Sequence, residues 1–226
     1  VLQRVSKPPV GVTVDHSHDA DKALPLADNT PDRYLQAVGI MNQQGEIRPK
    51  MRAKFNQINE FLKILDHALV LEGTLTNKDA SPLRIVDFGC GSAYLTLAAY
   101  HYLNNIRGIA SQLDGVDTNG TLIDKNTLHS RDLGWDDACF TTAAITNFQM
   151  EFTPDMVISL HACDTATDDT LAQGIRNGAR IILSAPCCHH HLHQQLTTVD
   201  PMRPVMRHGI LKKRMADIVT DAFRAL

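Results

Sequence analysis

Two short clusters of histidine, cysteine and aspartate in this sequence have the residue types that chemistry requires. The first contains His161 and Asp164 and follows the apolar residues 156–160. The second follows residues 180–185 and contains Pro186, Cys187, Cys188, His189 and His190. A histidine beside a carboxylate can remove a proton from a reacting hydroxyl group, and histidine together with cysteine can hold a zinc ion.

The second cluster lacks the spacing of a structural zinc site. Adjacent cysteines such as Cys187 and Cys188 do not easily bind one ion, and the Cys-x₂-Cys spacing of such sites is absent. His189 and His193 are four residues apart, which keeps zinc open as an alternative. We predict that no metal is bound and that residues 186–190 line a pocket wall and position the substrate.

A glycine-rich segment overlaps the end of the apolar run at residues 84–88. It reads Asp87-Phe88-Gly89-Cys90-Gly91, and a helix-like stretch follows it directly. A strand, a glycine turn and a helix together bring backbone N–H groups close to a cofactor. Tyr94 stands where a dinucleotide fingerprint needs a small residue, which favours a cofactor without a pyrophosphate group. The alternative is an ordinary strand-to-helix turn.

A carboxylate, Asp117, ends the next strand-like segment, residues 109–117. An acidic residue in this position accepts hydrogen bonds from the ribose hydroxyl groups of a nucleoside cofactor. The alternative is that Asp117 caps the helix expected over residues 120–132. We predict the ribose role because the glycine turn lies upstream of it.

Strand-like and helix-like segments alternate along the chain from residue 81 onward. We expect strands over residues 84–88, 109–117, 140–145, 156–160 and 180–185, and helices over 92–99, 120–132 and 167–177. This alternation predicts an α/β fold: a Rossmann-like parallel sheet with helices on both faces and ligands at the carboxyl ends of the strands. Upstream we expect an extended arm over residues 1–31 and a helical extension over 32–80. The extension contains a short helix within 33–48 and an amphipathic helix over 49–71.

The composition limits the possible partners. The 226 residues are 43% hydrophobic, enough for a substantial core, and the formal net charge of −3 argues against a general polycation. No apolar run approaches the roughly 18 residues that span a bilayer, so we expect no membrane partner. Five cysteines, two of them adjacent, indicate free thiols in a reducing compartment, and we therefore predict a cytoplasmic protein.

The glycine-rich segment at residues 87–91 resembles the first motif of class I methyltransferases that use S-adenosylmethionine. The pattern His-x-Cys-x-x-Ala-Thr-Asp at residues 161–168, followed by Cys-Cys-His-His at 187–190, resembles one group of these enzymes. That group contains the methyltransferase-like 25 proteins, their bacterial relatives and the eukaryotic tRNA acceptor-stem 2′-O-methyltransferases. The resemblance covers about residues 50–215 and includes Lys-Phe-Asn-Gln-Ile at 54–58.

The resemblance implies an S-adenosylmethionine-dependent methyltransferase that acts on RNA, either tRNA or rRNA. We expect its cofactor to contact Asp87, Gly89, Cys90, Gly91, Asp117 and His161. If the acceptor is a ribose hydroxyl, we expect His161, oriented by Asp164, to remove its proton. If the acceptor is a base amine, Asp164 and nearby carbonyl groups would accept its hydrogen bonds. The alternative for His161 is a histidine hydrogen-bonded beside the cofactor.

The chain departs from this group at several positions, which leaves the acceptor atom open. The tRNA enzymes tend to have lysine where this chain has Leu160 and glycine where it has Asp164. Their small N-terminal zinc modules also have no counterpart here. Many methyltransferases carry an acid after the third strand that contacts the adenine amine. Residues 143–146 contain none, so we expect the backbone or Asn147 to contact the adenine.

The C-terminal end of the predicted sheet is the other departure. A methyltransferase sheet usually has seven strands, and the last two would follow the amphipathic helix that contains Ile210 and Val219. The sequence ends at Leu226. We therefore expect this strand pair to be missing and one edge of the sheet to be bare.

Two basic clusters suggest where RNA phosphates could bind. The first consists of Arg48, Lys50, Arg52 and Lys54, and the second of Arg203, Arg207, Lys212, Lys213 and Arg214. The first stands at the start of a helix, where cations oppose the helix dipole, so we expect Lys54 to bind substrate. A solvated surface is the alternative for both. Two further functions stay open: a methyltransferase of a small molecule or protein, and a non-catalytic module that binds S-adenosylmethionine or RNA.

Overall fold

The computed structural model describes residues 24–73, 81–160, 162–186, 189–197 and 200–225. At its centre lies a parallel five-stranded sheet with the strand order β3-β2-β1-β4-β5. The strands are β1 (Leu83–Phe88), β2 (Ser111–Asp117), β3 (Ala138–Thr142), β4 (Met156–Ser159) and β5 (Ile181–Ser184). The strand order reverses between β1 and β4, where sheets of this kind open a ligand crevice. The predicted Rossmann-like α/β sheet is confirmed.

Helices pack around this sheet, and further helices precede its first strand and follow its last strand in the chain. They are α1 (Arg33–Ala37), α2 (Arg52–Leu71), α3 (Tyr94–His101), α4 (Gly120–Leu133), α5 (Thr165–Arg176), α6 (His190–Gln195), α7 (Arg203–Met206) and α8 (Gly209–Arg224). Across the described ranges, no helix combines the length and the apolar character needed to cross a lipid bilayer. β5 lies at one edge of the sheet, and the loss of a further strand pair stays a prediction.

Local side chains explain where several helices begin and end. Asp32 caps α1 by accepting the N–H of Leu35 at 2.9 Å, and Asn119 caps α4 by accepting the N–H of Leu122 at 3.2 Å. α4 stops at Gly134, whose φ of +72° suits a residue without a Cβ. These short-range signals are readable in the sequence, and the predicted helix over 120–132 is confirmed.

The third strand differs from its prediction. We expected residues 140–145, but β3 spans Ala138–Thr142, and a 3₁₀ turn follows at Ile145–Asn147. The apolar residues after Thr142 do not extend the sheet. Instead, Ala143, Ile145 and Phe148 pack against the small core formed by Val86, Phe88, Val116 and Val157 on one sheet face. Their apolar character therefore reflects cover for the sheet rather than strand structure.

The opposite face of the sheet carries the larger core. Ile85, Leu113 and Ile158 point to that side, in alternation with the valines of the small core, as expected of strands with a residue period of two. α2 and α3 cover this face, and the segment upstream of α2 joins the same core through Leu26 and Tyr34. The predicted short helix within 33–48 covers only Arg33–Ala37, because Gly39 turns the chain at a φ of +74°.

Candidate active site

The glycine loop after β1 has a backbone that only glycine adopts readily. Gly89 has a φ of +70° and Gly91 a φ of +54°. A Cβ atom on Gly89 would lie 3.1–3.2 Å from the Cβ, Cα and N atoms of Ala162, in the loop after β4. The two loops therefore touch, as their positions at the carboxyl ends of neighbouring strands predict.

Asp117, at the end of β2, holds the glycine loop in place. One carboxylate oxygen, Oδ2, accepts the N–H of Gly91 at 2.9 Å, and Oδ1 accepts the N–H of Asn119 at 2.8 Å. Asn119 rather than Asp117 supplies the side-chain cap of α4. Each carboxylate oxygen can accept a second hydrogen bond, so Asp117 keeps acceptor capacity for a ligand.

Asn126, in the middle of α4, is a site residue that sequence reasoning missed. Its side chain is fully buried, and its Nδ2 donates to the carbonyl oxygen of Gly91 at 2.8 Å. Both backbone polar groups of Gly91 are thus fixed, one by Asp117 and the other by Asn126. In the sequence Asn126 is only a polar residue within a predicted helix, which shows neither that it is buried nor which loop it contacts.

Asp87 and Cys90 lie beneath the loop rather than on its surface. Asp87 is buried, and burial raises the pKa of its carboxyl group to about 7. The charge of Asp117 also raises this pKa, whereas a hydrogen bond from Oγ1 of Thr96 lowers it. Burial also raises the pKa of the Cys90 thiol, which keeps the thiol neutral. Both side chains are therefore part of the core beneath the glycine loop.

A cleft of about 320 Å³ opens above the loop, at the carboxyl ends of β1, β2 and β4. It combines two carboxylates with walls of small apolar side chains, and its lining residues are Gly89, Asp117, Thr118, Ala143, Ala144, Ile145, Thr146, Ala162, Cys163, Ala166 and Asp169. Asn147, one candidate for contact with adenine, is exposed and is not among them. Residues 143–146 do line the cleft, as the backbone alternative requires.

The segments after β4 and β5 meet through Asp164. Its Oδ1 accepts the backbone N–H of His191 at 2.9 Å, and its own φ of +59° is unusual for a residue with a side chain. His161, the predicted base, lies outside the described residues, so its pairing with Asp164 stays a prediction. The same holds for the predicted roles of Cys187 and Cys188, which are also outside them.

The other residues of the segment 186–190 have different surroundings. Pro186 and His190 are exposed. His189 has a side chain that is only 9% exposed, because it lies between two carboxylates of α8: Nε2 is 2.9 Å from Asp221 and Nδ1 is 3.4 Å from Asp217. Among the residues that the structure describes, no three side chains of metal-ligating type lie close enough to share an ion.

The basic clusters fall on opposite ends of the chain. Lys54 in α2 is half-buried, and its Nζ lies 5.4 Å from the ring centre of Tyr94, the first residue of α3, and 3.0 Å from Oε1 of Gln57. Lys54, the last residue of the first basic cluster, therefore lies next to the helix that follows the glycine loop. The second cluster lies on α7 and α8, where Arg203 is 3.6 Å from Asp200 and Arg214 is 3.5 Å from Asp217.

Comparison with known proteins identifies the family of the chain. Residues 53–195, more than half of the chain, match a protein family described as a methyltransferase domain. The chain belongs to this methyltransferase family. The resemblance to the narrower group that contains the methyltransferase-like 25 proteins, their bacterial relatives and the tRNA acceptor-stem 2′-O-methyltransferases stays a prediction.

The chain is also similar, at low sequence identity, to solved structures of other methyltransferases. Magnesium protoporphyrin IX methyltransferase from Synechocystis PCC 6803 is 16% identical with a TM-score of 0.41, over 64% of this chain and 61% of that one. A ribosomal protein L11 methylase from Lactobacillus delbrueckii subsp. bulgaricus is 15% identical with a TM-score of 0.36, over 49% of this chain; the match spans about half, 52%, of that methylase. No curated protein matches the chain.

Proposed function

We propose that this methyltransferase modifies RNA, either tRNA or rRNA, at a ribose hydroxyl or a base amine. The observation that carries the proposal is the cationic start of α2 beside the helix that follows the glycine loop. Lys54 contacts Tyr94 there, and Arg48 and Lys50 are exposed on the preceding turn. Within the described ranges neither Arg48 nor Lys50 forms an ion pair, so both are available for phosphate groups.

The residues of the cleft fit the cofactor. The glycine loop gives close approach to backbone atoms, Asp117 keeps acceptor capacity for ribose hydroxyls, and the alanine and isoleucine walls suit a flat base. We assign cofactor contacts to Gly89, Gly91 and Asp117, with Asp87 and Cys90 supporting them from below. When bound, S-adenosylmethionine supplies an electrophilic methyl group on a sulfonium.

The chain's own residues then have to align the acceptor, exclude water and remove a proton. The alanine and isoleucine side chains of the lining disfavour water beside the reacting groups. For a ribose hydroxyl we assign the removal of the proton to His161, with Asp164 as the residue that orients it. Asp164 is held by the N–H of His191, which limits its movement. For a base amine, the free acceptor capacity of Asp164 would receive the amine hydrogen bond instead.

The loop after β5 divides its roles in this proposal. Pro186 and His190 are exposed, and with Cys187 and Cys188 they are our candidates for contact with the substrate. His189 is held by Asp217 and Asp221, so we assign it a positioning role: it fixes the loop to α8. Lys54 completes the substrate side from α2.

The decisive experiment transfers labelled methyl groups from S-adenosylmethionine to total tRNA, rRNA and protein fractions, followed by nucleoside analysis. We expect label in one RNA fraction, on a ribose or on a base amine. Label in the protein fraction alone would overturn the RNA proposal while leaving the methyltransferase assignment intact. A variant His161→Ala with unchanged turnover would remove His161 from the mechanism.

A binding experiment tests the cationic start of α2. The double variant Arg48→Ala/Lys50→Ala should bind that RNA more weakly, with a salt dependence whose logarithmic slope is smaller by about 1.5, because two phosphate contacts are lost. The control is Lys63→Ala/Lys125→Ala, which removes the same charge from a half-buried site in α2, where Lys63 pairs with Glu60, and from an exposed site in α4. Equal effects in both variants would show that only net charge matters.

A further inference from the structure

Asp169 is a carboxylate of the cleft that the proposed function does not use. It is half-buried in α5, one turn after the helix begins at Thr165, and it lines the cleft opposite residues 143–146. In the part of the chain that the structure describes, its side chain makes no hydrogen bond and no ion pair. Asp117, the other carboxylate of the cleft, already accepts two backbone N–H groups.

The direction of Asp169 follows from its neighbours on α5. Ala166, three residues earlier, lines the same cleft. Gln173, four residues later, donates from Nε2 to the carbonyl oxygen of Ile145 at 3.1 Å. Residues three and four apart lie on one face of a helix, so this face of α5 is directed toward the segment after β3. Asp169 stands between the two contacts and faces that segment across the cleft.

The chemistry around Asp169 suits one end of a purine base. Ala143, Ala144, Ile145 and Ala166 present small or branched apolar side chains, which can lie against the faces of a flat ring. A carboxylate only accepts hydrogen bonds, so it favours a ligand atom that donates. The segment after β3, from 143 to 146, has no acid of its own.

We propose that Asp169 accepts the hydrogen bond of the exocyclic amine of the cofactor's adenine and so determines base specificity. The acidic group reaches the base from the first turns of α5 instead of from the segment after β3. This inference rests on the placement of the cofactor given under the proposed function. Hypoxanthine has a carbonyl oxygen where adenine has the amine, and two acceptors facing each other repel.

Calorimetric titration with two product analogues tests this assignment. One is S-adenosylhomocysteine, and the other is S-inosylhomocysteine, which differs only in the base. The wild-type protein should bind the adenine compound about ten- to hundredfold more tightly, as expected for a hydrogen bond to a charged group. In Asp169→Asn the preference should fall to within about threefold, because an amide can accept from the amine or donate to the carbonyl oxygen.

The neighbouring residue provides the matched control. Asp168 is the same residue type in the same turn, but it faces Arg224 outside this cleft. Asp168→Asn should keep the wild-type preference for adenine. A second variant, Asp169→Ser, removes the carboxylate at a half-buried helix position and should lose about tenfold in affinity for the adenine compound. Thermal unfolding of each variant verifies that it is folded.

The outcomes separate this inference from the proposed function. If the wild-type protein prefers adenine and Asp169→Asn keeps the full preference, Asp169 does not read the base, although the cofactor site stands. If the wild-type protein binds both compounds equally, base specificity is absent and the inference is overturned. If it binds neither compound, the placement of the cofactor fails as well.

Discussion

Arg224, near the end of α8, grips both carboxylate oxygens of Asp168 in the first turn of α5. Nε donates at 2.6 Å and Nη2 at 3.1 Å, and Nη2 also donates to the backbone oxygen of Asp164 at 2.9 Å. The side chain of Arg224 is only 10% exposed. The last helix is thereby attached to the loop after β4, which forms one wall of the cleft.

Replacing Arg224 with lysine should loosen that attachment. Lysine keeps the charge but cannot present the planar fork that bonds both oxygens of Asp168. We expect the free energy of unfolding to fall by about 1 kcal/mol, since Asp168 is half-exposed and solvent weakens the pair. Urea denaturation measures the loss, and methyl transfer should slow as the loop at Asp164 moves more freely. The control Arg214→Lys changes a 76% exposed side chain, and an equal loss there would contradict the prediction.

Alanine at the two loop glycines should separate backbone strain from close contact. Both have positive φ, so each substitution costs about 1 kcal/mol in strain. At Gly89 the new methyl group would also meet Ala162 at 3.1 Å, whereas at Gly91 nothing lies within 4 Å. We therefore expect Gly89→Ala to reduce the free energy of unfolding by about 1 kcal/mol more than Gly91→Ala. Equal losses in urea denaturation would show that the two loops can move apart at no cost.

The buried carboxyl group of Asp87 should make stability depend on pH. Its pKa in the folded protein is about 7, against an ordinary value of 3.8, so the folded state binds more protons between these pH values. Stability contributed by this group is therefore greatest at low pH, falls by about 3–4 kcal/mol as the pH rises from 4 to 7, and is constant above that. Asp87→Asn imitates the neutral form and should be more stable than the wild-type protein at pH 8. Urea denaturation at pH 5 and pH 8 measures both, and a pH slope unchanged by the substitution would refute this assignment.

Asn126 should matter for the cofactor more than its distance from the cleft suggests. Asn126→Ala removes the donor to the carbonyl oxygen of Gly91, and we expect about tenfold weaker binding of S-adenosylhomocysteine in calorimetry. Thr127→Ala is the matched control, because the Thr127 hydroxyl donates to Ile123 within its own helix at 2.9 Å. If both variants bind as the wild-type protein does, the glycine loop keeps its shape without Asn126.

The sequence predicted the parts of the site that depend on local order. The alternation of elements indicated the sheet, and the glycine motif and Asp117 come at strand ends that the structure brings together. Asn126 and Asp169 could not be found in this way, because their roles depend on which helix face meets a loop distant in sequence. The surroundings of His189 were equally hidden, since its carboxylate neighbours follow 28 and 32 residues later.

The segment upstream of α2 changes what counts as the smallest independent folding unit. The family match begins at residue 53, yet Leu26, Tyr34 and Leu35 are each no more than 1% exposed in the core that α2 and α3 share. The hydroxyl group of Tyr34 also donates to the backbone oxygen of Tyr94, at the start of α3. Truncating the protein to residues 53–195 would expose the apolar side chains of α2 and α3 and would remove the hydrogen bond from Tyr34 to Tyr94. Residues 24–35 therefore belong to the same hydrophobic core as the residues of α2 and α3 that the family match covers.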